Sequence, residues 1–483
     1  MSKPLAIVKS LDHLVLTCAN IPKTIQWYGR FLAMKHETFA PPSDPSNQRH
    51  ALKFGTQKIN LHQQGKEFEP KAMTALPGTA DLCFLIEEDS NLEELVKGFQ
   101  KEGVEVLEGE QVVDRTGANG AIRSVYVRDP DGNLIELSKF LLDFWAKKAG
   151  LKYFGSATDS PGQRERAGYE AAYPQYDAIF ADNGEFGQTT PTNGQKWLFT
   201  EPERGVFNFT EGEIVSSLAK SHGKILRCHA LVWHSQLAPW VEAQNWTAAE
   251  AAEVITTHIT NVAGHWKGQC YAWDVVNEAL LDDGTWRPSP FYNALGPDYI
   301  KLAFQVASET DPDAKLYYND YNLERPGPKA TAAAGIARML KDAGIRIDGI
   351  GMQAHLTAGR SPSLEEQVAV MEQYAETGVE VALTELDVRI NLPANETNLQ
   401  QQKQGYHDAV AACVQVDACV GVTIWDFYDP FSWVPVTFPG QGEPLLWFED
   451  FTKHPAYYGV LEAFAQETNS TCGRQRRRAV RYF

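Results

Sequence analysis

YAWDVVNEA, residues 271–279, is the stretch whose reading decides the fold. Its apolar and aromatic residues run without a polar face and stop at Asn277 and Glu278, the pattern of a buried strand ending in polar groups. VALTELD, residues 381–387, closes in the same way on Glu385. Working outward, six further runs share that character: YFGSAT (153–158), FGQTT (186–190), KILRCHALVW (224–233), KLYYNDY (315–321), GIGMQAHL (349–356) and VGVTIWDFY (420–428). They alternate with helical segments. Eight strands over about 310 residues predict a (β/α)8 TIM barrel, whose chemistry sits where the strands end. Both glutamates fall on that face.

Residues 1–140 read as a different unit, an α+β domain made of two copies of one strand–helix–strands pattern. LDHLVLT (11–17), the amphipathic IPKTIQWYGRFL (21–32), ALKFGT (51–56) and KINLH (58–62) form the first copy. The second is ADLCFLI (80–86), NLEELVKGFQKEG (91–103) and SVYVRDPDGNLIELS (124–138), a hairpin about Asp129-Pro130-Asp131-Gly132. The expected division is a duplicated βαβββ domain at 1–140, the barrel at 141–466, and a basic, disordered tail at 467–483. LLDFWAKKAG (141–150) is too short and apolar for a flexible linker and reads as the barrel's leading helix.

The chain has 483 residues and a net charge of −18. Residues 1–140 carry 16 basic and 19 acidic side chains, leaving −15 for the rest. So acidic a barrel argues against nucleic acid and anionic membranes and for a neutral partner. No apolar run approaches the roughly 20 residues of a membrane span. The basic cluster Arg474, Arg476, Arg477, Arg478 and Arg481 reads as a frayed terminus. Of seven cysteines, only Cys413 and Cys419, flanking a short turn, look close enough to bridge. That bridge and four sequons, at Asn208, Asn245, Asn395 and Asn469, point to an oxidising, secretory compartment. The first residues contain no adequate apolar leader, which points to the cytoplasm for the chain as written. Oligomeric state stays open.

Two carboxyls delivered by strand ends, without metal-ligand spacing, suit glycosidic bond cleavage, in which one protonates the leaving oxygen and the other attacks carbon. The motifs HALVWH (229–234), WDVVNEA (273–279) and TELD (384–387), in that order at the ends of the third, fourth and seventh strands, resemble glycoside hydrolase family 10, the endo-β-1,4-xylanases, over nearly all of 150–465. The resemblance implies a retaining enzyme without a cofactor, acting on a polysaccharide or glycoside. Glu278 would be the acid/base and Glu385 the nucleophile, with carboxyls roughly 5–5.5 Å apart. His355 and Asp387 would support an ionised Glu385. Asn277 would hold the 2-hydroxyl of the reacting sugar. Asn193, Lys196, His229, Trp233, Gln353 and His355 would contact sugar, with Trp425 and Trp433 as aromatic walls. His234 reads equally as structural.

Two departures from the family pattern stand out. PTNGQKW (191–197) places Thr192 where a sugar-binding glutamate is usual, which weakens one subsite by about 1–3 kcal/mol. WDFYDPFSW (425–433) replaces the commoner W-G, then W-R. A tomatinase-type glycosidase acting on a steroidal glycoalkaloid is therefore the alternative. A non-catalytic carbohydrate-binding barrel is the reading from another class, disfavoured by the intact Glu278, Asn277 and Glu385.

The duplicated domain resembles the vicinal oxygen chelate superfamily, the glyoxalase-like proteins, through LDHLVLT and DPDGNLIEL. By that resemblance His13, His62 and Glu136 would hold a divalent metal with open positions, Asp81 standing where many relatives have a further histidine. The fold alone does not choose among glyoxalase, dioxygenase, thiol-transferase and binding functions. A cytosolic-type domain joined without linker to a secreted-type hydrolase also raises the expectation that two neighbouring genes were merged in one reading frame. In that case the barrel is cytoplasmic, with Cys413 and Cys419 reduced.

Overall fold

The computed structural model describes residues 11–40, 45–87, 90–118, 120–170 and 172–465. The expected tail at 467–483 and the sequon at Asn469 lie outside the described residues. The chain forms two compact units, which part at Phe140/Leu141 apart from a short exchange at 117–121.

The first unit holds two four-stranded sheets of one topology. In each, the opening strand pairs in parallel with the last: His13–Cys18 beside Gln57–Gln63, and Asp81–Leu85 beside Leu134–Lys139. Arg49–Phe54 and Lys35–Phe39 complete the first sheet; Gly120–Arg128 and Val113–Gly117 complete the second. The helix Ile21–Leu32 starts at Asn20, whose side chain accepts from the Lys23 N–H, as helix caps do. The Asp129–Gly132 turn ties the two copies together. Asp131 accepts from the Ala19 N–H at 2.7 Å and the Thr24 hydroxyl at 2.8 Å, and Asp129 accepts from the Tyr28 hydroxyl at 3.0 Å.

The expected metal set is not assembled. His13 pairs with Lys58, whereas His62 lies opposite Thr17, four residues further along. At about 3.3 Å per residue that register sets their backbone positions roughly 13 Å apart along the strands. Glu136 is instead engaged by Ser124 at 2.6 Å and Ser138 at 3.3 Å, and the His13 ring faces Asp12 at 2.6 Å. Among the described residues no three His, Cys, Asp or Glu side chains gather into a metal-binding group, so His13, His62 and Glu136 do not fit the ion that the resemblance implied.

The second unit is a closed barrel of eight parallel strands: β1 (Tyr153–Thr158), β2 (Gln188–Pro191), β3 (Ile225–Trp233), β4 (Ala272–Asn277), β5 (Lys315–Asp320), β6 (Gly349–Met352), β7 (Glu380–Asn391) and β8 (Cys419–Ile424). Each pairs with its neighbour, and β8 closes on β1. The sequence reading runs the sixth strand on to Leu356; the structure breaks it. Ala354 takes φ 59°, its N–H bonds the Glu324 carboxylate at 2.8 Å, and His355–Thr357 resumes in parallel with β7, His355 opposite Asp387. Inside the barrel, bulky residues fill space that glycines leave open. A Cβ at Gly349 would come within 2.3 Å of Tyr317, and one at Gly421 within 2.5 Å of Tyr153. The leading helix spans Leu142–Lys148. No helix among the described residues is long and apolar enough to cross a membrane.

Cys413–Cys419 is bridged, and so, against the sequence reading, is Cys228–Cys270. Forty-two residues separate the latter pair, but adjacency of β3 and β4 brings them together, with Cys228 opposite Trp273. Closing the longer loop stabilises by about 4 kcal/mol against about 2 for the six-residue one. Replacing Cys228 and Cys270 by serine should therefore lower the thermal midpoint more than replacing Cys413 and Cys419; equal losses in calorimetry would contradict this.

Candidate active site

Most of what the barrel sequence marked as chemical lies at or beyond the strand ends; Glu385 and Asp387 instead lie within β7, just past the Glu380–Leu383 segment that pairs with β6, and His229 lies within β3. Glu278 follows β4 directly, at φ 58°, a left-handed conformation that costs a glutamate of order 1–3 kcal/mol unless its surroundings enforce it. They do. Its N–H donates to the Asn319 carbonyl at 2.9 Å, and its carbonyl accepts from Arg287 Nε at 2.9 Å. Gln236, Ala354 and Asp426 on the same rim also have positive φ.

Glu385, 5% exposed, accepts from Asn319 Nδ2 at 2.8 Å and faces His355 Nε2 at 3.2 Å. His355 Nδ1 lies 2.8 Å from Asp387 Oδ2, which also accepts from the Trp433 indole N–H at 2.8 Å. Burial pushes the Glu385 carboxyl up, but the His355 hydrogen bond and the charges of His229 and His355 outweigh it and hold it below its ordinary value. Burial opposes the His355 imidazolium, yet Asp387 and Glu385 raise it to about 10. An imidazolium thus bridges two carboxylates at neutral pH.

A chain of amides links the two glutamates. Gln353 Nε2 donates to Glu278 Oε1 at 3.0 Å and lies 3.2 Å from the Asn277 amide. Asn319 Nδ2 lies 2.9 Å from that amide and donates to Glu385. The Asn277 amide is also within 3.2 Å of the Trp233 indole nitrogen. Asp274, buried on β4 and paired with Arg227, meets His229 Nδ1 at 3.0 Å. His234 stands 3.7 Å from Glu278 Oε2, and burial lowers its pKa despite Glu278.

One end of the groove is a polar cluster between two indoles. Lys196 Nζ donates to Gln236 at 2.7 Å and Asn193 at 3.3 Å, 4.8 Å from the Trp233 ring and 6.0 Å from Trp425. Burial lowers its pKa, while Glu385, Asp159 and Glu278 pull it back. The Asn193 amide donates to Asp159 at 3.1 Å, whose carboxyl burial raises to about 6.

The structure thus brings together all the barrel residues predicted for the site. Sequence reasoning missed Asp159, Gln236, Asp274, Arg287 and Asn319. Asp159, Gln236 and Asn319 lie at or just past the ends of strands already read; Arg287, ten residues beyond β4, left no signal, and Asp274, a charge in the middle of the apolar 271–277 run, was itself one.

His355 and Glu385 also set a pH window. A raised His355 contributes stability fully below its ordinary 6.5, lost as pH climbs through about 10; a lowered Glu385 contributes above its ordinary 4.5, lost as pH falls. Their joint contribution is greatest between those ordinary values. His355→Gln should flatten the alkaline fall of the thermal midpoint, and an unaltered slope would contradict the ion triad.

Comparison with known proteins agrees with this geometry. The family model of glycosyl hydrolase family 10 matches residues 142–463, and that of the glyoxalase/bleomycin resistance protein/dioxygenase superfamily matches residues 10–137. Endo-1,4-beta-xylanase A of Humicola insolens is 66% identical over 327 residues, 68% of this chain and 87% of the relative. Endo-1,4-beta-xylanase D of Talaromyces funiculosus is 47% identical, over 67% of this chain and 78% of its own. Among solved structures, an endo-1,4-beta-xylanase of Penicillium canescens superposes with TM-score 0.65 at 40% identity, covering 68% of this chain and 98% of that one. A xylanase of Bispora sp. MEY-1 with xylobiose superposes with TM-score 0.64 at 41% identity, covering 67% and 100%.

Proposed function

We propose, on the premise that this chain belongs to glycosyl hydrolase family 10 through residues 142–463, that it cleaves β-1,4-xylan within the chain and retains the anomeric configuration. The observation that carries this reading is the amide relay from Glu278 through Gln353, Asn277 and Asn319 to Glu385. It holds two carboxyls of unlike surroundings around one groove.

In the first step the Glu278 carboxyl gives its proton to the glycosidic oxygen while a Glu385 oxygen attacks the anomeric carbon. The carbon–oxygen bond to the leaving sugar breaks and a glycosyl ester on Glu385 forms. In the second, Glu278, now ionised, takes a proton from water, whose oxygen displaces Glu385. The His355 imidazolium holds Glu385 ionised and aimed. Asn277 meets the 2-hydroxyl, a bond that tightens as positive charge grows on the sugar. Trp233, Trp425 and Trp433 offer apolar faces to the pyranose rings, and Asn193, Lys196, His229 and Gln353 take its hydroxyls. Two disulfides and exposed sequons at Asn208, Asn245 and Asn395 fit a secreted barrel. The first unit is a glyoxalase-like domain.

Asp426 bears on the glycoalkaloid alternative. Its carboxyl accepts from the Phe427 and Tyr428 N–H groups and the Tyr176 hydroxyl, so this residue of the departing stretch is held by local structure. The xylan reading is favoured. A panel of xylan, xylo-oligosaccharides, aryl cellobioside and tomatine tests it, with xylan expected to give the highest kcat/KM; a preference for tomatine would overturn it.

A further inference from the structure

β1 and β2 run in parallel with Pro191 opposite Thr158, and the Thr192 N–H donates to the Thr158 carbonyl at 3.0 Å. One further step of that register sets Thr192 beside Asp159, just past the two strand ends. Both are partly exposed. Neighbouring strands stand about 4.8 Å apart, so a carboxylate at either position reaches nearly the same point of the rim. Thr192 occupies the place where a sugar-binding glutamate is usual, and the acid next to it is Asp159.

Asp159 is short of donors. Its two oxygens share the Asn193 side-chain amide at 3.1 and 3.3 Å, and the Asn193 backbone N–H adds a further bond. An ionised carboxyl offers about four acceptor sites. Burial therefore outweighs Lys196, Asn193 and Arg164, which all favour the charge, and lifts the group to about 6. Neither cation closes on it: Arg164 pairs with Asp177, and Lys196 turns to Gln236 and Asn193. A carboxylate held open in this way is completed by hydroxyl donors, and adjacent hydroxyls of a sugar ring supply two at once. Lys196 connects it with the catalytic pair, its ammonium drawn by Glu385, Asp159 and Glu278.

We propose that Asp159 is the specificity-determining carboxylate for the sugar next to the reacting one, taking over from the end of β1 the hydroxyl-accepting role that Thr192 leaves empty at the end of β2. It rests on the reading of the cleft as a xylan site. Asn193 and Lys196 flank the same sugar, and Asp159 accepts from its hydroxyls. The loss that Thr192 alone would cause is thereby made good.

The test compares an aryl β-xylobioside, which reaches that second sugar position, with an aryl β-xyloside, which does not. Asp159→Ala should lower the ratio of their kcat/KM values about 30-fold, the scale of a hydrogen bond to a charge. Thr192→Glu added to Asp159→Ala should recover most of that ratio, because a carboxylate returns to the same sugar. Thr192→Glu alone should give no gain, since two adjacent carboxylates oppose each other's ionisation. A gain there overturns the proposal by showing the place vacant and Asp159 a mere brace for Asn193, and it does so whether or not Asp159→Ala folds. A ratio unchanged by Asp159→Ala overturns it as well. Wild type inert on both glycosides refutes the xylan reading beneath it, which separates the two failures.

Discussion

Glu385→Ala is expected to lower kcat on xylan by on the order of 10⁴-fold or more in a protein that remains folded. The side chain supplies the attacking oxygen, and no neighbour can replace it. Asp387 is turned to His355 and Trp433. Glu278 is tied to Gln353. Deleting Glu385 removes one carboxylate from the His355 imidazolium and leaves the other, so the buried charge keeps a partner and the cost to folding stays moderate. Steady-state assays with circular dichroism as the folding control check this. Activity within tenfold of wild type would remove Glu385 from the chemistry.

Glu278→Ala is expected to cost roughly 10³-fold on xylan, whose sugar leaving group needs a proton. On an aryl glycoside with an acidic phenol the first step needs no proton donor, so the covalent intermediate should accumulate and turnover should be limited by its hydrolysis. Azide, which attacks without base assistance, should then restore turnover and give a glycosyl azide of retained configuration. Equal loss on both substrates, without rescue, would assign Glu278 a structural role. The left-handed backbone at 278 makes Glu278→Gly a useful second variant, since glycine adopts that conformation without strain.

The barrel was legible because each strand is an apolar run closed by polar groups. YAWDVVNEA and VALTELD announced both their structure and their chemistry. Two strands of the first unit were not legible. Lys35–Phe39 is exposed along nearly its whole length, and Val113–Gly117 alternates weakly; edge strands like these carry little burial to leave a pattern. The Cys228–Cys270 bridge escaped because sequence distance hid what the order of barrel strands implies, that β3 and β4 touch. The metal set failed for a related reason. Choosing His13 and His62 on motif position ignored register, and four residues along paired strands are enough to separate two ligands.

The most direct measurement is proton NMR of the anomer first released from a xylo-oligosaccharide, read before mutarotation. Double displacement at Glu385 predicts the β-anomer first. Release of the α-anomer would mean that water, not Glu385, attacks the sugar, and would contradict the account at its centre.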